Sequence, residues 1–181
     1  MQHASPTVGD YMTEIPATIE TGMRLGDALD RMYVDNIRHL PVVDERGALV
    51  GVLSTRDVAI AAALRGLDPL EARVEAVMSR APYACAVDTP LVEVVEHMER
   101  GRLGSAVVTR AGKPCGIFTT TDALRALRSQ LAGRPVEPLV HPNLGRSEEE
   151  RERPATPPHM PASVRPRASD GMVSWFLAKL S

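Results

Sequence analysis

A chain of 181 residues with 44% hydrophobic and 24% charged residues reads as globular and is not collagen-like, coiled-coil or disordered throughout. Its 21 basic and 23 acidic residues leave a formal net charge of -2, without the clustered cationic excess that nucleic-acid phosphates require, so no nucleic-acid partner is expected. No apolar run reaches the roughly 18 residues needed to span a bilayer, so no membrane partner is expected either.

In chain order, a short β-prone segment around Thr18-Ile19 precedes an apolar helix face, Leu25, Ala28, Leu29 and Met32, at i, i+3, i+4, i+7 spacing. His39-Leu40-Pro41-Val42-Val43 then reads as a strand, turning at Asp44-Glu45-Arg46-Gly47 into a second strand over Leu49 to Leu53. A helix over Thr55 to Leu64 follows. Pro41 has no N–H for a sheet ladder, which predicts an edge position or a strand start.

The same series then recurs. Ala86-Val87 precedes a helix face of Leu91, Val94, Val95 and Met98; a strand over Ser105 to Thr109 turns at Arg110-Ala111-Gly112-Lys113 into Cys115 to Phe118, and a helix runs from Thr120 to Leu131. Gly47, Gly51, Ser54 and Asp57 map onto Gly112, Gly116, Thr119 and Asp122 at an offset of 65, whereas the preceding helices map at 66. One residue is therefore gained or lost between the two blocks. A unit of about 60 residues is marginal alone, so the two βαββα units are expected to pair in an α+β fold. Met12, Met32, Met78 and Met98 recur at matching positions and read as core.

Eight of the 15 prolines fall in the last 50 residues, beside the charge block Glu148-Glu149-Glu150-Arg151-Glu152-Arg153. Such a segment buries too little apolar area to offset its ordering entropy, so a flexible tail is expected over 132–171. At its end, 172–181, Val173, Phe176, Leu177 and Leu180 share one helical face, which suits docking to a protein partner or to the paired βαββα units themselves. Cys85 and Cys115 match neither a disulfide framework nor a zinc site, and the five histidines lack ligand spacing, so no metal is expected. With no apolar leader at Met1-Gln2-His3, a reducing, cytoplasmic address is expected.

The recurring Gly-x-x-Ser/Thr-x-x-Asp carries the chemistry. With the hydroxyl at a helix N-cap and the carboxylate at N3, the pair makes a capping-box variant. The same atoms can serve a ligand: free amides and a hydroxyl for phosphate, a carboxylate for two ribose hydroxyls, and a glycine where a ligand comes close. Both readings stand on the residues alone. Only the first repeat adds cations, Arg38, His39 and Arg56; the second has Gly104, Ser105 and Thr121 near those places and Arg102 as its nearest cation. Solvated surface roles for Arg38 and Arg56 stay open.

Taken together, Ile37-Arg38-His39-Leu40-Pro41-Val42-Val43-Asp44, Gly51-Val52-Leu53-Ser54-Thr55-Arg56-Asp57 and Gly116-Ile117-Phe118-Thr119-Thr120-Thr121-Asp122, with the openings Val8-Gly9-Asp10-Tyr11-Met12 and Val74-Glu75-Ala76-Val77-Met78, resemble a tandem pair of CBS domains, or Bateman module, over residues 8 to 130. The resemblance implies a first domain over 8–66 and a second over 67–131, paired about a pseudo-twofold axis and commonly doubled into a homodimer. It implies an adenosine-type ligand in the cleft between the units: AMP, ADP, ATP or S-adenosylmethionine. Carried onto this chain, the ligand-binding positions are Ser54, Asp57, Thr119 and Asp122, with Gly51, Gly116, Arg38, His39 and Arg56 around them. No Walker A loop, nucleophile elbow or metal cluster is present, so a regulatory role without catalysis is expected and no cofactor is required. The alternative is a ligand-free dimerisation scaffold in which both aspartates only cap helices.

Overall fold

The computed structural model describes residues 5–14, 18–65, 68 and 71–133. The expected flexible tail, apart from residues 132 and 133, and the C-terminal amphipathic segment lie outside the described residues. The elements are β1 (Thr13–Glu14), β2 (Ile19–Glu20), α1 (Leu25–Val34), β3 (His39–Val43), β4 (Leu49–Ser54), α2 (Thr55–Arg65), β5 (Ala84–Ala86), α3 (Leu91–Gly101), β6 (Ser105–Arg110), β7 (Lys113–Thr119) and α4 (Thr120–Ala132), with single 3-10 turns at Val8–Asp10 and Val74–Ala76. The fold is mixed α+β, and the expected hairpins and helices are present in both repeats.

The described residues divide into two compact units: one takes those up to 18 with 44–50 and 81–133, the other 19–43 and 51–80. In the first unit the sheet order is β1-β7-β6-β5, with β1 antiparallel to β7, β7 antiparallel to β6, and β5 parallel to β6. Phe118 is fully buried there among Val8, Tyr11, Val94, Met98, Ala106, Val108 and Ala126. In the second unit the order is β2-β3-β4. Its buried side chains include Ile19, Leu25, Leu29, Met32, Leu40, Val42, Leu53, Val58 and Val74, supplied by the apolar faces that the helical and strand periodicities mark.

Each repeat is completed by the segment that precedes the other one. Val8 N donates to Thr89 O (2.9 Å), Gly9 N to Val87 O (3.0 Å), and Leu91 N to Pro6 O (2.9 Å), fastening the N-terminal arm to the second repeat. The linker makes the same three bonds to the first repeat: Val74 N to Met23 O (3.0 Å), Glu75 N to Thr21 O (3.1 Å) and Leu25 N to Ala72 O (2.8 Å). The sequence repeats thus begin at 8 and 74, while the packing crosses between them.

Pro41 departs from expectation, because β3 is the middle strand of its sheet rather than an edge. It is tolerated because β2 joins β3 only at Ile19↔Val42 and Glu20↔Val43, so no ladder bond is asked of Pro41 on that side.

The change of offset from 66 to 65 falls in the hairpin turns. Asp44 caps its own loop, its Oδ1 accepting from Arg46 N (2.9 Å) and Ala48 N (2.8 Å), before Gly47 at φ +76°. The second hairpin closes in two residues, Ala111 (φ 50°) and Gly112 (φ 77°), with Arg110 opposite Lys113. Two positive φ values mark a type I′ turn, where alanine is strained and asparagine is favoured. Ala111→Asn is expected to stabilise the protein by about 0.5–1 kcal/mol, read as a higher thermal midpoint; an unchanged or lower midpoint would count against this turn geometry.

Candidate functional site

In the first repeat, β4 ends at Ser54 and α2 begins at Thr55. Ser54 N and Ser54 Oγ both donate to Asp57 Oδ2 (3.1 and 2.6 Å), while Asp57 N donates to Ser54 Oγ (3.2 Å). This is the reciprocal pairing of a capping box, and it uses one carboxylate oxygen. Among the described residues no group donates to Asp57 Oδ1. Thr55 N donates to Arg38 O (3.1 Å), which brings the start of β3 against the start of α2 and gathers Arg38, His39, Arg56 and Asp57 at one place. Arg38 and Arg56 are exposed and His39 is half-buried. Burial, first, then Arg38 and Arg56 hold the His39 imidazole below its usual pKa, with Asp57 pulling the other way.

The second repeat copies the box. Thr119 N and Thr119 Oγ1 donate to Asp122 Oδ2 (2.8 and 2.7 Å), and Asp122 N donates to Thr119 Oγ1 (3.4 Å). Here the other oxygen is engaged as well. Arg125 Nη1 lies 3.2 Å from Asp122 Oδ1, with the two side chains 11% and 5% exposed, and Thr13 Oγ1 donates to the same oxygen (3.4 Å). Arg125 Nη2 donates to Tyr11 O (2.8 Å). Arg125 Nε and Nη1 are buried without an aligned hydrogen bond, so the Asp122 charge offsets the cost of keeping the guanidinium inside.

Gly51 and Gly116 are buried, and each is required by its neighbour. A Cβ on Gly51 would come within 2.7 Å of Met78 Sδ and 2.9 Å of Ser79 O; on Gly116 it would collide with Met12. These contacts also account for the recurring Met12 and Met78. The structure therefore brings Arg38, His39, Ser54, Arg56 and Asp57 together, and separately Thr119 with Asp122. Sequence reasoning missed Thr13, Tyr11 and Arg125. The signal was available in the repeat itself, because at an offset of 65 Arg125 stands where the first repeat has Ile60.

Burial, and then Cys115, push the Cys85 thiol up to about 11, which leaves it protonated and unreactive at neutral pH. Tyr83 stacks on His97 with ring centroids 3.8 Å apart. Among the described residues no group of three or more His, Cys, Asp or Glu could hold a metal ion, and no helix is long and apolar enough to cross a membrane.

Comparison with known proteins gives these motifs a context. The CBS domain matches residues 8–63 and 74–129. Over 122 residues the chain is 33% identical to the homoserine O-acetyltransferase of Methanococcoides burtonii, covering 67% of this chain and 24% of that enzyme; the chain spans about a quarter of the curated relatives it matches first. Among solved structures, the CBS domain pair of protein MJ0100 in complex with 5′-methylthioadenosine and S-adenosyl-L-methionine superposes with a TM-score of 0.64 at 26% identity, covering 70% of this chain and 99% of that one. CBSX2 of Arabidopsis thaliana in complex with AMP gives 0.59 at 26% identity, covering 69% and 98%. Two copies of the domain, each with its helix-capping Ser/Thr and Asp, make this chain a tandem CBS-domain protein and a member of that family.

Proposed function

We propose that the protein is a regulatory CBS pair that senses an adenosine-containing ligand and has no catalysis of its own. The observation that carries this reading is the first-repeat cluster: an aspartate with one carboxylate oxygen open to a ribose, a capping hydroxyl, and Arg38, His39 and Arg56 around the N-terminus of α2. The ligands named for the similar structures, S-adenosyl-L-methionine, 5′-methylthioadenosine and AMP, support the class. The free Cys85 and Cys115 fit a reducing cytoplasm.

Calorimetry against AMP, ADP, ATP, S-adenosylmethionine and 5′-methylthioadenosine tests this. One of them is expected to bind, and Asp57→Ala to weaken it by about 10-fold or more through loss of a charged hydrogen bond. The pH profile gives a second readout. A phosphate set between Arg38, His39 and Arg56 favours the imidazolium that burial disfavours, so binding takes up a proton and AMP affinity rises as the pH falls toward the imidazole's lowered range. His39→Gln is expected to flatten that rise; a profile identical in the variant would place the phosphate elsewhere.

The scaffold reading has an observation of its own, since both motifs are satisfied as capping boxes without any ligand. Binding unchanged in Asp57→Ala, with stability alone reduced, would favour it. In either reading a homodimer is proposed: Val92 and Val95 on α3 and Leu124, Leu127 and Leu131 on α4 are exposed, Leu131 at 80%. Light scattering at micromolar concentration is expected to give twice the chain mass, and a monomer would refute it.

A further inference from the structure

The two repeats are built on one frame but treat their aspartates differently. Thr13, on β1 opposite Ile117 of β7, has its counterpart in Ser79, bridged to Val52 of β4. Both arms therefore pass the motif at the same place. Only the second repeat turns that passage into a bond, because Thr13 Oγ1 donates to Asp122 Oδ1 and Arg125 closes on the same oxygen. Arg125 also reaches back along the arm to Tyr11 O. In the first repeat the corresponding residues are Ser79 and Ile60, and Ile60 is 48% exposed, so the position of Arg125 gives Asp57 no cation, and among the described residues no linker hydroxyl donates to it.

A ribose binds a carboxylate by donating hydroxyls to it. Asp122 is already engaged on both oxygens, by the Thr119 hydrogen bonds on one and by the Thr13 hydrogen bond and the Arg125 charge on the other, with 3% of the residue exposed. A sugar arriving there would have to displace both an internal hydroxyl and a buried countercharge, which leaves Arg125 unpaired in the interior. The cations that surround the first motif are also missing from the second, where Gly104, Ser105 and Thr121 take their places. We propose that Thr13 and Arg125 occupy the second motif in place of a ligand, so that Asp122 latches the N-terminal arm and each chain takes a single adenosine-containing ligand, at the first repeat. The ligand count rests on the functional reading above; the latch does not.

Calorimetry with AMP, ADP, ATP, S-adenosylmethionine and 5′-methylthioadenosine tests the count. One site per chain is expected, weakened at least 10-fold in Asp57→Ala, with Asp57→Asn as the second variant should the first fail to fold. Two sites in the parent, or parental affinity in both Asp57 variants, would overturn the proposal. Amide exchange tests the latch. Arg125→Ile with Thr13→Val, which removes both the cation and the hydroxyl from Asp122, is expected to cut protection across the Thr13↔Ile117 pairing at least 10-fold and to leave the affinity of whichever ligand binds at the first repeat within twofold. Protection retained in that variant would overturn the latch. Should none of the five adenosine-containing ligands bind the parent, the functional reading falls and the exchange result alone decides the latch.

Discussion

Asp122→Ala is expected to cost about 3–5 kcal/mol, the penalty for stripping one partner from a buried ion pair, while Asp57→Ala costs about 1 kcal/mol, the worth of a helix cap. The two aspartates make the same capping box, so the difference isolates what surrounds them. Removing Asp122 leaves the Arg125 guanidinium, 11% exposed, without its countercharge and cuts the Thr13 bond to the arm. Removing Asp57 frees the Ser54 amide and hydroxyl at a partly exposed site and strands no buried charge. Urea denaturation of both variants checks the contrast. The double variant Asp122→Ala with Arg125→Ile should recover part of the loss, since neither charge then remains. Equal losses at the two aspartates would show that the buried pair contributes nothing beyond the cap.

Phe118→Ala is expected to cost a further about 3–5 kcal/mol in its own right. Phe118 lies on β7 with no exposed surface, and among the described residues its ring is the largest fully buried side chain. It is packed by residues from the arm (Val8, Tyr11), from α3 (Val94, Met98), from β6 (Ala106, Val108) and from α4 (Ala126), so no single element can move in to close the gap. Against a total stability of about 5–15 kcal/mol the loss is a large fraction. It should appear as a lower urea midpoint at unchanged slope; a shift of less than about 1 kcal/mol would mean that the cavity collapses.

The repeat, its hairpins and its helix faces were legible because periodicity is a local property: Leu91, Val94 and Met98 announce a helix whatever they pack against. The capping boxes were legible for the same reason, since their members lie three residues apart. What could not be read locally was pairing over long distances. Nothing in Tyr11 or Thr13 says that its partner is Arg125 or Asp122, more than 100 residues away, and Arg125 matches no motif. Pro41 misled because the rule for strand prolines assumes a full-length neighbour, and β2 is only two residues long. The identities of Gly51 and Gly116 were legible as a need for space, although the occupants of that space proved to be Ser79, Met78 and Met12.

The crossed packing of the arm and the linker sets the order in which the chain can be finished as it is made. The linker follows the first repeat directly, so Val74 and Ser79 can dock as soon as they emerge. Strand β1 leaves the ribosome ahead of both repeats yet pairs with Ile117 and Gly116 of β7. At roughly 5–20 residues per second, it waits on the order of 5–20 seconds for β7. During that interval Val8, Tyr11 and Met12 lack the core against which they pack in the finished fold. The second repeat is thus closed by residues synthesised ahead of the first.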